Sequence, residues 1–447
     1  MPKGLSDAVG RNTAEIGIGW ITLCLVFLAS LVQGGNHPAV WTPLSLVVTL
    51  LLAMLVLLRL GHPLPAALRG AILPAALLGT VVTWALAQAI LGVPPAVAHP
   101  VWSLAPEGSS PRISADPAAT VHGVLRLATY AMLGWILAVA ALQTSCAWAL
   151  LRAIGFAVAA MALFALCAAA IGVNPLLGTY AGLGGRVSGA FVNSNSMATY
   201  AAFGMLVNLG LFAHAPLAAR RGKLVFALCC ALCAACVVLT GSRGGTLSAL
   251  IGVAVFVAAL KGRRQGGLAA LVSVLAGLAG TVAMGLVAAA GHPVARALDD
   301  SMAGRAHVYG AVIAQLETRP WLGHGLGAFQ DTFRPYVPIE ASRREWEMAH
   351  SSYLENLWEM GAPTALVFYA ALALVGRRLW IGLGVRSRDA AIPALALAVF
   401  TAGAVHAAVD FSLQMPACAG LFAVLLGIGW AQSFGHAGRT CPGHAHP

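Results

Sequence analysis

Charge is scarce in this chain: 9% of its 447 residues are charged, 59% are hydrophobic, and the mean hydropathy is +0.83. A water-exposed surface needs far more charge, so a soluble globular fold is excluded and lipid is the solvent for most of the chain. Period-two alternation is missing too, which argues against a transmembrane barrel. Apolar runs of roughly 18 to 25 residues recur instead, each long enough to cross about 30 Å of hydrocarbon as a helix. The first, Ile16 to Val32, lacks a small-residue cleavage site and is followed at once by another span, so it is expected to remain as an uncleaved helix. Metal-binding acid pairs are absent: Glu340, Glu345, Glu347, Glu355 and Glu359 are scattered without an Asp-x-Asp pair through a segment expected to be solvated, so no metal is expected. Cysteines outside the membrane are missing as well. Cys24, Cys146, Cys167, Cys229, Cys230, Cys233, Cys236, Cys418 and Cys441 fall within spans or on the cytoplasmic side, which leaves no extracytoplasmic disulfide. Cys229, Cys233 and Cys236 share a helix face with no histidine or carboxylate beside them, and read as small residues at a packing seam.

What is there is a series of spans, near 16–33, 38–58, 71–92, 124–143, 148–172, 198–214, 223–240, 244–260, 267–290, 361–375, 391–409 and 415–433. With a cytoplasmic N-terminus, 16 of the 26 basic residues fall in short cytoplasmic segments, and the other side holds 12 of the 15 acids. The net charge of +11 is then the positive-inside bias of a membrane protein and calls for no nucleic acid. Both termini are expected in the cytoplasm; the tail beyond Gly435, with His436, His444 and His446, reads as disordered.

Most connections are short, and three extracytoplasmic segments stand out: 93–123, 173–197 and 291–360. The first is rich in proline and reads as an irregular loop with little chemistry. The third reads as a small helical cap, because Ala306 to Leu316 has helical apolar spacing that Pro320, Gly323, Gly325 and Gly327 terminate. The chain therefore divides into helices one to nine (1–290), a cap and catalytic loop (291–360), and helices ten to twelve with the tail (361–447).

Candidate chemistry gathers on the cap side. Arg186 sits in Gly184-Gly185-Arg186-Val187-Ser188-Gly189 ahead of Asn193-Ser194-Asn195-Ser196, where glycines admit an anion close to the backbone and a guanidinium can fork onto phosphate oxygens. An interfacial arginine on a lipid headgroup is the competing reading. Arg243 lies in Thr240-Gly241-Ser242-Arg243-Gly244-Gly245 at the start of a helix, whose free N–H groups and dipole favour the same anion. His350 precedes Ser352 and Glu355, a capping-box spacing that starts a helix. The positive end of that helix disfavours a cationic ring and leaves it able to accept a proton, although an interfacial hydrogen-bonded histidine fits the same position. Arg305 is either a third phosphate or sugar ligand or a partner for the cap's acids. Asp410 ends the eleventh span, where an acid commonly orients an arginine or histidine. His324, inside Gly323-His324-Gly325, is a candidate for binding or for turn packing.

In order and common side, the Arg186 segment ending in Asn193 and Asn195, the Ser242-Arg243-Gly244-Gly245 turn, Pro320-Trp321-Leu322-Gly323-His324-Gly325, and His350 followed by Tyr353 and Gly361 resemble the O-antigen ligase and polymerase family. The resemblance implies an all-α polytopic membrane protein of about 12 transmembrane helices with a small helical periplasmic cap, GT-C-like, in the bacterial inner membrane. It implies a glycan transferred from undecaprenyl diphosphate to the lipid A-core oligosaccharide, with inversion and without cofactor, metal or ATP. Arg186 and Arg243 would hold the diphosphate and His350 would be the base, with Arg305, Asn195, Tyr353, Asp410 and His324 binding substrate. The family also holds polymerases and protein O-oligosaccharyltransferases, which share the donor; these last are usually longer, with a C-terminal periplasmic domain that has no counterpart here after Gln432. Outside it stands a transporter of lipid-linked sugars, which would need its polar site near the bilayer midplane on broken helices. In this sequence the middles of the spans are almost uncharged and polar residues gather at one face.

Overall fold

The computed structural model describes residues 3–174, 176, 186–216, 220–261, 293–342, 345–386 and 389–435. Among them there is no strand. The long helices are α1 (Lys3–Ser30), α2 (Pro38–Arg59), α4 (Ile72–Ile90), α5 (Pro117–Ala140), α6 (Thr144–Ile171), α7 (Ser194–His214), α8 (Arg220–Leu239) and α9 (Arg243–Lys261), with a short α3 (Ala66–Gly70) before α4. A cap follows, with α10 (Pro293–Gln315), α11 (Phe329–Phe333) and α12 (Ser352–Met360). The chain then re-enters the bundle as α13 (Ala362–Val385), α14 (Ala391–Ala407) and α15 (Pro416–Ala431).

The expected class is found: nine described helices are long and apolar enough to cross a membrane, and α14 and α15 are shorter apolar helices. The predicted span 267–290, Gly184, Gly185 and the tail histidines lie outside the described residues. Two boundaries differ for local reasons. α5 starts at Pro117 because the Asp116 side chain accepts from the N–H groups of Ala118 and Ala119 and proline is tolerated in a first turn. α13 runs ten residues past the predicted end, through Arg377 and Arg378, because Arg378 turns back to lie 3.6 Å over the Phe434 ring and to donate to the Ser433 carbonyl.

Leu57, Leu228 and Leu366 are each at least 60% exposed on the bundle surface, as lipid-facing side chains should be. At the centre stands α7, whose spanning window is 83% buried and which touches α6, α8, α9, α14 and α15. Small residues allow that approach. A Cβ on Gly204 would lie 2.2 Å from Val158, and one on Gly427 of α15 would lie 2.1 Å from the Gly134 carbonyl of α5.

The cap has its own apolar core of Val308, Val312, Phe329, Phe333, Trp346 and Trp358. It docks where the Gly323 turn meets the break between α12 and α13. The N–H groups of His324 and Gly325 donate to Trp358 and Glu359 (3.0 and 2.9 Å), and that of Ala362 donates to Pro320 (2.8 Å). Gly323 and Gly361 have φ of 69° and 76°, and a Cβ on either would run into the other strand of this junction within 2.5 Å. The proline-rich segment before α5, expected to carry little chemistry, is a strap across this junction. His99 Nε2 sits 2.9 Å from His324 Nδ1, and Arg319 donates to the carbonyls of Val97 and Ala98.

Candidate active site

Three segments far apart in sequence meet at the cap end of α7 and α9. Arg186, an exposed residue, donates through Nε to the Thr240 carbonyl (2.7 Å) and through Nη2 to Asn195 Oδ1 (3.4 Å). Thr240 opens the turn between α8 and α9, and the next residue, Gly241, is left-handed with φ 66°; a Cβ there would press on Arg186 at 3.4 Å. Glycine thus lets the guanidinium lie flat on the turn. Ser242 Oγ accepts from the Gly245 N–H, capping α9, and Arg243 is the first residue of that helix with its side chain exposed. Asn193 holds the N–H of Asn195 (2.7 Å), so the Asn195 amide is fixed between Arg186 and Asp410, to whose Oδ1 it donates at 2.8 Å.

Asp410 is buried at the end of α14 and its Oδ2 also accepts from the Ser412 N–H (3.0 Å) and hydroxyl. His350 Nδ1 lies 3.7 Å from Asp410 Oδ1, an ion-pair distance longer than a hydrogen bond. The ring is held edge-on by Trp346 and Phe411, at 5.5 and 4.7 Å between centroids, and its backbone is left-handed with φ 55°, a conformation a non-glycine residue adopts only when its surroundings impose it. Tyr309 supplies part of that constraint by donating to the His350 carbonyl (2.6 Å). Arg305 donates to the Val409 carbonyl (2.9 Å) and makes no ion pair with the cap's acids among the described residues.

The electrostatics favour an added anion. Burial and the neighbouring Arg305 charge lower the Arg186 pKa, against the pull of Asp410. Burial pushes the Asp410 carboxyl up, but the approach of His350, the charge of His406 and the Ser412 hydroxyl outweigh it and hold the group ionised, at about 2. Arg186, Arg243 and Arg305 make no ion pair with a carboxylate among the described residues, leaving a cationic surplus at a helix N-terminus.

Residues 228–369 match a family model described as O-antigen ligase. Over this segment the chain is similar to the O-antigen ligase family. A comparison with curated proteins finds no match. The O-antigen ligase segment contains Arg243, Arg305, His324, His350 and Tyr353, while Arg186, Asn195 and Asp410 come from outside it.

Of the predicted site residues in and around this O-antigen ligase segment, the structure brings together Arg186, Arg305, His350, Asn195 and Asp410, with Arg243 on the turn that Arg186 covers. It places two elsewhere. Tyr353 donates to the Ala404 carbonyl (2.9 Å) and leans on Tyr369, and His324 stacks on Trp358 at 4.2 Å under the strap. The capping box is not formed. α12 follows Ser351, whose side chain makes no cap; Glu355 reaches past it to the Ala349 N–H (2.7 Å), and Ser352 donates to the Asp410 carbonyl (3.2 Å). Nor are Glu355 and Glu359 solvated: they are 2% and 3% exposed, and Glu359 accepts from the Phe329 N–H (3.1 Å). Burial raises both carboxyls, Glu355 further through its like-charged neighbour, and Glu359 to about 7. Among the described residues no group of three histidine, cysteine or acidic side chains is arranged to hold a metal.

Sequence reasoning gave no role to His406, whose Nδ1 is 2.5 Å from Thr199 Oγ1 beneath Gly244, nor to Ser412 and Tyr309. His406 and Asp410 stand four residues apart at the end of an otherwise apolar helix, a spacing that could have flagged them as one unit. A groove of about 1110 Å³, whose lining helices do not follow from periodicity, begins beneath α12, at Ser352 and Tyr353, and runs between α2, α4, α5 and α13 to α15, ending at Ala71 and Trp430.

Proposed function

We propose that this protein is a glycosyltransferase of the GT-C type that moves a glycan from undecaprenyl diphosphate to a sugar hydroxyl of lipid A-core, as an O-antigen ligase. The observation that carries this reading is the convergence of Arg186, Arg305 and the α9 N-terminus on the Asp410-backed His350. His350, whose Nδ1 faces Asp410 at 3.7 Å, takes through Nε2 the proton of the acceptor hydroxyl while that oxygen attacks the anomeric carbon. The bond from that carbon to the diphosphate breaks on the opposite face, which inverts the centre. Arg186 and Arg243 neutralise the charge that develops on the departing diphosphate, a role a metal fills elsewhere, so no metal or other cofactor is needed. Asp410 orients the ring and stabilises the imidazolium formed. With the basic loops cytoplasmic, both termini are cytoplasmic and the reaction takes place at the periplasmic face of the inner membrane.

Purified protein in detergent, given undecaprenyl-diphosphate-linked glycan and lipid A-core with EDTA present, should transfer the glycan. His350→Ala should remain folded and lose about 10²- to 10⁴-fold in rate. Glycan that lengthens only on its own lipid carrier would make the protein a polymerase, and no reaction with either acceptor would reopen the transporter reading.

A further inference from the structure

A further cation without an ion pair among the described residues stands in the wall of the groove. Arg126 of α5 donates one bond, from Nη2 to Asn36 Oδ1 (2.9 Å), and its guanidinium lies 5.0 Å over the Trp41 ring. No carboxylate is within ion-pair distance of it among the described residues. Beside it, three buried donors have no hydrogen-bond partner there: Arg126 Nε, Trp41 Nε1 and the Tyr130 hydroxyl. Arg126, Trp41 and Tyr130 all line the groove, as does His122, whose ring meets Trp41 edge-on at 5.3 Å. A charge among apolar helices with a neutral amide as its sole partner lacks the counter-charge such a position needs, and the natural counter-charge is an anion brought by a ligand.

The groove indicates what carries that anion. Its walls are largely aliphatic and aromatic, from Leu78 and Val82 to Phe400 and Phe422, and its volume of about 1110 Å³ accommodates hydrocarbon chains. Arg126 is tied to Asn36, in the turn between α1 and α2, so it stands at the depth of the cap-side chain ends, where a lipid headgroup lies. Above it the groove is lined by Tyr353, Glu355 and Asn356, on the helix whose Ser352 donates to the Asp410 carbonyl at the candidate site. The groove opens towards that site, so an acylated saccharide whose phosphate sits at Arg126 extends its sugars to the place where transfer is proposed.

We propose that Arg126, with the Trp41 indole N–H and the Tyr130 hydroxyl, anchors a phosphate of the glycolipid acceptor while its acyl chains lie in the groove. This rests on the glycan-transfer reading for the kind of acceptor. Arg186 and Arg243 then serve the donor diphosphate and Arg126 the acceptor.

Binding without transfer tests it. The full-length protein in detergent is titrated with lipid A carrying both phosphates and with the same lipid enzymatically dephosphorylated, for wild type, Arg126→Gln, Tyr130→Phe and Arg186→Gln, each checked for an unchanged melting temperature. Phosphorylated lipid A should bind wild type and Arg186→Gln alike and Arg126→Gln about tenfold or more weakly, while the dephosphorylated lipid should not distinguish them. Tyr130→Phe, which removes one donor and keeps the ring, should weaken binding in the same direction and carries the test if Arg126→Gln fails to fold. Equal binding of both lipids by wild type, or no effect of either groove variant, overturns the proposal. Competition by phosphatidylglycerol as effective as that by lipid A makes the occupant a common phospholipid, and displacement by inorganic phosphate alone removes the groove from recognition; either outcome also overturns it. Phosphate-dependent binding without glycan transfer would leave this site standing and refute the transferase reading.

Discussion

Asp410 gives one oxygen to Asn195, the other to Ser412, and faces His350 at 3.7 Å, so a single carboxylate fixes both the base and the amide that steadies Arg186. Asp410→Asn keeps the shape and removes the charge. It is expected to lower kcat about 10- to 100-fold with little change in donor KM, the signature of a group that acts through its neighbour and does not hold substrate; steady-state kinetics with donor varied will show whether the loss falls on kcat. Its pKa, depressed from 3.8 to about 2, contributes stability that is present above the ordinary value and lost as pH falls through the folded one. Between pH 5 and 8 this carboxylate stays ionised, so a pH profile in that range belongs to other groups. Asp410 was legible because an acid that ends an apolar helix has few uses. Glu355 misled because the spacing Ser-x-x-Glu matches a cap, and only the fold shows that the Ala349 N–H is the closer donor.

The strap and α12 give the cap opposing responses to pH. His99 and His324 are held neutral by burial, with Arg319 and, for His324, the partner ring adding to it, at about 4 and about 3. Groups depressed below the ordinary 6.5 stabilise the fold above that value, and their contribution is lost as pH falls from 6.5 towards 4 and 3. Glu359 is raised from 4.5 to about 7, so its contribution is present below 4.5 and lost as pH rises through 7. The two responses oppose each other between pH 4.5 and 6.5: His99→Asn should lessen the fall in melting temperature as pH drops below 6.5, and Glu359→Gln, by removing the opposing loss, should make the melting temperature rise more steeply between pH 4.5 and 7. A cap equally pH-sensitive in both variants would place the titrating groups elsewhere. Neither pair could be read in advance, since His99 lies 225 residues from His324 and burial of an i, i+4 glutamate pair depends on the core it packs against. The bundle itself was legible because hydrocarbon thickness and backbone satisfaction leave a helix of fixed length as the one solution.

For the molecule as a whole, the orientation that positive-inside counting implies puts cap, arginine cluster and strap in the periplasm. Ser109→Cys, in the exposed strap, should react with a membrane-impermeant maleimide in intact spheroplasts, whereas His62→Cys, in the exposed loop after α2, should react only after lysis. The reverse pattern would move the chemistry to the cytoplasm. Which helices line the groove was not legible at this scale, since it is a gap left between helices that each satisfy the same apolar pattern, and no residue marks a space. Yet that gap sets the units in which the reaction runs. A substrate that reaches the site along the bilayer, with its chains still among lipids, meets the protein in two dimensions, and its effective concentration is its share of the membrane's area. Adding inert phospholipid at constant total acceptor should then slow transfer as the acceptor's mole fraction falls, although nothing in the surrounding water has been diluted.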